Sequence, residues 1–265
     1  MARVAVIVPF PFDEAGLAKR REQIGHVKLG PDIEVDYWPT KAGPWSALGR
    51  HDEFLFELGI FEAGLSAAEE GYDVICVDTL SDSGVAELRS TLDIPVVSTG
   101  KGSFLYALML GAKFSVLMQI DPRYPEYKVA IREYCRNTMK KFEVAQFCTS
   151  VEYFEAESDF EGLFTGREEQ VFPIMRVASE RAIEAGAHVI ILGSTTLHQA
   201  GPYLSEHLPV PVVNPGPVAL KLAETMLGLG HVQSRAAYPK TKVPRPKMIH
   251  SMLDAARSNQ NADAS

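Results

Sequence analysis

The sequence predicts an α/β protein built on parallel sheets, and three observations carry that prediction. Short β-branched runs alternate along the chain with longer stretches of helical periodicity. The apolar runs are continuous rather than alternating, as in Val4-Ala5-Val6-Ile7-Val8, Val74-Ile75-Cys76-Val77 and Val189-Ile190-Ile191-Leu192. Strands buried on both faces have that signature, and helices cover such sheets. The order of elements then repeats in the second half, so the expected architecture is two pseudo-symmetric, parallel-sheet, Rossmann-like domains.

Taken in order, strands are expected at Val4–Pro9, Ile33–Tyr37, Val74–Val77, Pro95–Val97, Lys113–Met118, Val144–Phe147, Val189–Leu192 and Pro211–Val213. Helices are expected at Phe54–Glu70, Val85–Leu92, Gly102–Leu110, Tyr127–Lys141, Glu168–Ala185 and Pro217–Leu229. The repeat is visible where Leu92-Asp93-Ile94-Pro95-Val96-Val97 is answered by Leu208-Pro209-Val210-Pro211-Val212-Val213. The expected domains are 1–98 with 215–265, and 99–214. Parallel sheets bind ligands beyond the carboxyl ends of their strands, which leads us to expect a site in the cleft between the halves. Glu152–Thr165 and the Lys240–Lys247 segment read as solvated surface, Ser258–Ser265 as a disordered tail, and the apolar Phe54–Leu65 as a core-facing helix or an interface.

Composition sets limits on partners. The chain has 265 residues, 46% of them hydrophobic, and a formal charge of -8, which argues against an extended nucleic-acid surface. The opening Met1-Ala2-Arg3 and the five apolar residues after it are too short for a signal peptide, and no run approaches a membrane span. Cys76, Cys135 and Cys148 form no close pair and no metal-ligand spacing, so a reducing compartment is expected. The reading is a cytoplasmic protein with no metal, no nucleic-acid partner and no membrane partner.

Two strand-to-loop junctions carry the polar chemistry. Val74-Ile75-Cys76-Val77-Asp78 runs into Thr79-Leu80-Ser81-Asp82-Ser83-Gly84, and Val189-Ile190-Ile191-Leu192 runs into Gly193-Ser194-Thr195-Thr196. Hydroxyls backed by backbone amides at helix starts make a cradle for a carboxylate or a developing enolate. Leu80, Ser81, Gly193, Thr195 and Thr196 are thus candidate substrate-binding residues, together with Thr99 and Pro215. Asp78 ends a buried strand, His198 follows the second hydroxyl cluster and Lys101 follows Ser98-Thr99-Gly100; each is an ionisable group able to exchange a proton or pair with an anion. Asp82-Ser83-Gly84 reads as a helix N-cap. Cys76 reads as a small core residue inside its strand. Pro9 and Phe10 end the first strand, Phe10 as an apolar wall or as packing under a loop, and Tyr124 sits in an aromatic, proline-rich loop placed to overhang a site.

In their order and spacing these motifs resemble the aspartate/glutamate/hydantoin racemase superfamily, and within it the hydantoin racemase branch. Thr79-Leu80-Ser81-Asp82-Ser83-Gly84 stands where that branch has Cys-Phe-Gly-Asp-Pro-Gly, and Ile191-Leu192-Gly193-Ser194-Thr195-Thr196 stands where it has Ile-Leu-Gly-Cys-Ala-Gly. Val218–Glu224 is similar to the closing helix of the family, while Val8-Pro9-Phe10 replaces a common Asn-Pro-Asn. The resemblance implies a cofactor-independent, homo-oligomeric enzyme acting on a small carboxylate or cyclic amide, in which one cysteine removes an α-proton and another returns one. Thr79 and Ser194 hold those two positions here, and hydroxyls titrate far above the range of a usable thiol. The candidate catalytic set is therefore Thr79, Ser194, Asp78 and His198, with the hydroxyls as binders. Arylmalonate decarboxylases, which resemble this chain in their first-half hydroxyl donors, keep a cysteine where it has Ser194. Racemisation, isomerisation and decarboxylation stay open, as do a non-catalytic acid-binding relative and a hydrolase with a Ser or Thr nucleophile.

Overall fold

Five consecutive residues, Val4 to Val8, are buried and form most of the first strand, β1 (Ala2–Val8). A strand with no face suited to water takes the middle of a sheet. β1 pairs in parallel with β2 (Ile33–Pro39) on one side and β3 (Val74–Val77) on the other, and β4 (Val96–Ser98) adds to β3, giving the order β2-β1-β3-β4. The same logic places β5 (Phe114–Ile120) between β6 (Cys148–Glu155) and β7 (Val189–Leu192), with β8 (Val212–Val213) beyond, in the order β6-β5-β7-β8. Both sheets are wholly parallel and repeat one order: second, first, third, fourth. This computed structural model describes residues 1–45, 49–157, 164 and 166–263, with the backbone alone for residues 126 and 261–263.

The chain divides into two compact units, residues 1–21, 27–98 and 220–265, and residues 22–26 and 99–219. In the first, α1 (Glu14–Arg21), α2 (Arg50–Glu69) and α3 (Val85–Thr91) accompany the sheet. Its core joins Phe56, Ile60 and Ala63 of α2 and Leu88 of α3 to Ile75 and Val77 of β3. α2 approaches α3 so closely at Gly64 that a Cβ there would overlap the Leu88 side chain. The second unit carries α4 (Thr99–Leu110), α5 (Lys128–Lys141), α6 (Glu168–Glu184) and α7 (Ala200–His207). Its core sets Leu117, Ile190 and Leu192 against Met175 and Ala178 of α6 and Leu204 of α7. α8 (Pro215–Leu229) runs from the second unit into the first, and α9 (Pro246–Asp263) belongs to the first.

Several expectations are corrected. Val144–Phe147 is not a strand: Glu143 follows α5 with φ 57°, the Val144 N–H returns to the Met139 carbonyl, and a 3-10 turn at Ala145–Phe147 precedes β6. α1, α7 and α9 are additional helices, and α9 continues through Asp263, so most of the expected disordered tail is helical. Within Glu152–Thr165, Phe154 and Phe164 are buried core rather than solvated surface, and residues 158–163 and 165 lie outside the described residues. In Phe54–Leu65 the helix faces the core through Phe56 and Ile60, while Phe54 is exposed. The basic Lys240–Lys247 segment is exposed as expected, with Lys240 paired to Asp93. Among the described residues no helix is long and apolar enough to cross a membrane.

Candidate functional site

In each strand order the chain reverses direction of winding between its first and third strands, β1 and β3 in one sheet, β5 and β7 in the other. Open parallel sheets bind ligands outside the carboxyl ends of the strands at such switch points. Thr79 is the second residue after β3 and Ser194 the second after β7. The two hydroxyl segments therefore occupy equivalent positions in the two sheets.

In the first unit, the Asp78 N–H donates to the Ile7 carbonyl at 2.9 Å, continuing the β1–β3 ladder past the strand end. Its carboxylate forms an ion pair with Arg20 of α1, the two side chains 2% and 0% exposed. A charge removed this far from water requires an opposite charge beside it, and Asp78 has committed its carboxylate to that task. Nearby, burial, and after it the Asp78 charge, push the Tyr37 phenol well above its ordinary range. Thr79 is half-buried, and its hydroxyl accepts the Ser83 N–H at 3.4 Å, which leaves its own proton to donate elsewhere. Leu80 is buried, and the Ser81 and Ser83 hydroxyls share a hydrogen bond of 2.9 Å.

Asp82 does not cap α3. The residue before that helix is Gly84 in the left-handed region at φ 72°, with no side-chain cap, and Asp82 itself stands at φ 52° with its carboxylate accepting the Ser98 hydroxyl at the end of β4. That bond ties the hydroxyl loop to the neighbouring strand end. Pro9 is buried, while Phe10 is half-buried and packs on Phe12 at 5.2 Å and edge-on to Phe56 at 5.5 Å between ring centroids.

In the second unit, Gly193 is dictated by close approach. Its N–H donates to the Leu117 carbonyl at 2.8 Å, and a Cβ would overlap the Met118 sulfur and sit 2.7 Å from that carbonyl oxygen. Ser194 then opens a 3-10 turn, Thr195–Leu197: its Oγ accepts the Thr196 N–H at 3.2 Å and lies 2.8 Å from the Thr196 hydroxyl. Thr195 is buried, and Thr196 half-buried.

His198 follows directly and is 0% exposed. Its Nδ1 lies 3.4 Å from Nε2 of His26, an exposed residue, and its carbonyl accepts the Asn214 amide at 3.1 Å. His26 belongs to the 3-10 turn Glu22–His26, which is anchored by a 3.2 Å bond from Gln199 to Glu22. The turn is also anchored by fully buried Gln23, whose amide fills the space a Cβ on Gly216 would need, beside Pro215 at the start of α8. Thr99 is buried at the start of α4, and its Oγ1 has no hydrogen-bond partner among the described residues. Lys101, two residues on, is exposed. Tyr124 is 46% exposed and stacks on Tyr127, with Arg123 held by Asp121.

None of the three thiols is placed for acid–base work near neutral pH. Cys76 is 1% exposed inside β3, and burial first, then the Asp78 charge, drive its pKa far up. Burial pushes Cys135 up to about 12 and Cys148 up to about 11. Among the described residues no three His, Cys, Asp or Glu side chains are grouped to hold a metal ion.

Two participants escape a reading of the sequence. Arg20 lies in Lys19-Arg20-Arg21, a charge run with the look of solvated surface, yet it is fully buried. His26 meets His198 across 172 residues of chain, a distance no local pattern spans.

The profile of the family described as Asp/Glu/Hydantoin racemase matches residues 17–223. The hydantoin racemase of Pseudomonas sp. (strain NS671) is 28% identical over 216 residues, covering 80% of this chain and 82% of that protein. Allantoin racemase from Klebsiella pneumoniae superposes with a TM-score of 0.76 at 22% identity, over 92% of this chain and 96% of its own. Arylmalonate decarboxylase superposes with a TM-score of 0.56 at 18% identity, over 89% and 96%. Both structures share the fold described above.

Proposed function

The chain belongs to the Asp/Glu/hydantoin racemase family, and on that premise we propose that it is a cofactor-independent isomerase or lyase acting at the carbon next to a carboxylate or carbonyl of a small acid. One observation carries the reading: equivalent switch points of the two sheets both end in hydroxyl loops, Thr79-Leu80-Ser81 and Ser194-Thr195-Thr196, while every thiol lies elsewhere under burial that keeps it protonated. In this reading each loop is a set of donors for oxygens of the substrate. Thr79 and Ser194 donate hydrogen bonds to its oxygens, and the orphaned Thr99 hydroxyl at the amide-rich start of α4 supplies another donor for a carboxylate. Donors fixed in place before reaction favour the charge that develops on an enolate over the neutral ground state.

The proton then moves through imidazole. Asp78 is held against Arg20 and serves to brace the first loop, whereas His198 stands three residues beyond Thr195 and reaches exposed His26 by a direct nitrogen-to-nitrogen contact. When His198 takes a proton at Nε2 and gives up the one on Nδ1 to Nε2 of His26, the exposed His26 ring passes a proton on to water, so the buried histidine remains in exchange with solvent. Half-buried Phe10, just past the end of β1, is the group that favours an apolar substituent on the acid in this reading.

The test is solvent exchange. Hydantoins, α-amino acids, arylmalonates and unsaturated diacids are incubated with the protein in heavy water and followed by NMR. Deuterium entering at the α-carbon, or conversion of one substrate, with loss of both in His198→Asn, is the expected result. Saturable binding of an acid with no exchange for any compound identifies a non-catalytic relative instead.

A further inference from the structure

We propose that α9 is a strap that positions the aromatic group Phe10–Phe12–Trp45, and through it the preference for an apolar substituent; the second clause rests on the function proposed above. The helix spans Pro246–Asp263, beyond the residues 17–223 matched by the family profile.

The contact begins at a buried carboxylate. Glu62 of α2 is 0% exposed, and its Oε1 accepts the Ser66 hydroxyl at 2.9 Å while lying 3.0 Å from Lys41 Nζ and 2.6 Å from His250 Nδ1 of α9. The other ring nitrogen of His250 is 3.3 Å from Glu69, and Lys41 reaches on to Asp254 of α9 at 2.8 Å. Lys41 is therefore shared between a carboxylate of α2 and one of α9. One turn and more along α9, the Gln260 amide grips the backbone of Gly43 at both ends, donating to its carbonyl at 3.0 Å and accepting its N–H at 3.2 Å. Leu253, buried at 4%, anchors the helix between these two points.

The gripped segment leads straight to the aromatics. Thr40 donates its N–H to the Val8 carbonyl at 3.2 Å, so the segment leaves from beside the end of β1. It then packs down on α2, where a Cβ on Gly59 would lie 3.2 Å from the Ala42 carbonyl. Trp45 follows, its ring 5.9 Å from Phe12, which lies 5.2 Å from Phe10 at the carboxyl end of β1. Lys41 and Gly43 are thus held on one side by α9 and lead on the other to the ring stack. Trp45 is 39% exposed, and a held backbone limits how far its ring moves from Phe12.

Tryptophan emission reports the position directly, because Trp38 and Trp45 are the two tryptophans of the chain. In full-length protein carrying Trp38→Phe, Gln260→Ala and Asp254→Asn are each expected to raise acrylamide quenching of Trp45 at least two-fold and to shift its emission to the red, with far-UV circular dichroism unchanged. Gln260→Ala removes the grip on Gly43 and Asp254→Asn weakens the hold on Lys41, so one stands in if the other fails to fold. Unchanged Trp45 quenching in folded variants overturns the strap. Selectivity is read on the same variants as the ratio of affinities for aryl- and methyl-substituted malonates by calorimetry, expected to fall at least five-fold. A loosened Trp45 with an unchanged ratio overturns the link to selectivity. Loss of selective binding together with an absence of exchange in the parent protein refutes the proposed reaction and leaves the strap standing.

Discussion

The guanidinium of Arg20 and the carboxylate of Asp78 meet inside the first unit with neither side chain more than 2% exposed. Breaking a buried pair by removing one partner leaves an uncompensated charge and typically costs about 3–5 kcal/mol. Arg20→Met is expected to destabilise the protein by that amount in urea unfolding. Arg20→Met combined with Asp78→Leu removes both charges and is expected to recover most of the loss. Solvent exchange by Asp78→Asn must accordingly be compared at equal folded fraction, since the bracing role of Asp78 predicts an effect on folding larger than its effect per folded molecule.

Gly193 leaves no room for a side chain against Met118 and the Leu117 carbonyl. Gly193→Ala is expected to lower stability by about 1–3 kcal/mol through overpacking, read as a lower Tm. Met118→Ala in the same chain relieves the clash with sulfur but leaves the one with the backbone oxygen, so the rescue is expected to be partial. Gly193→Ala is also expected to displace Ser194, the next residue, and so to weaken acid binding.

His26 is exposed, so His26→Gln is expected to change stability by no more than about 0.5 kcal/mol. If the pair carries the proton, the same change slows exchange about 100-fold, the lower end for a general acid–base group. His198→Asn is expected to do at least as much. Equal rates in parent and His26→Gln at every pH would remove His26 from the pathway.

Alkaline pH is expected to unfold the protein through its buried acids. An unfolded thiol ionises near 9.0, while burial holds Cys148 at about 11 and Cys135 at about 12, and moves Cys76 and Tyr37 in the same direction. Above pH 9 the folded state therefore keeps protons that the unfolded state has lost. Stability falls as pH rises with that sign, fully retained below 9 and lost on the way to 11–12. Urea midpoints from neutral pH up to about 11 measure it, and a flat profile would contradict the burial of these groups.

Thr79→Cys with Ser194→Cys restores thiols at equivalent ends of β3 and β7. In a folded double variant we expect new α-proton exchange on hydantoins, measured as loss of optical rotation. Each single variant supplies one acid–base group and is expected to show less.

Both sheets are legible in the chain because burial on two faces leaves a local record: Val74–Val77 and Val189–Leu192 are continuous apolar runs, and the structure returns those strands with the same limits. The hydroxyl segments are legible for the same reason, since a polar run after a buried strand marks its carboxyl end. What fails is what depends on distant partners. His250 of α9 finds Glu62 at a separation of 188 residues and Asp254 finds Lys41 at 213, so no local pattern marks the helix and its last part, Ser258–Ser265, reads as tail. Asp82 shows the converse, a good local cap signal overridden by Ser98 and by the left-handed Gly84.

The grip of Gln260 on Gly43 joins residues 217 positions apart. On a ribosome, domains fold as the chain emerges, earlier segments first, yet the first unit is interrupted at Ser98 and resumes only at Leu220. Its sheet can assemble while the second unit is still being made, but the Gly43 segment and the rings that follow it must wait for the α9 sequence to appear. The grip on Gly43 therefore forms only after the whole of the second unit has been made, so the two halves of one contact are separated in synthesis by an entire α/β unit.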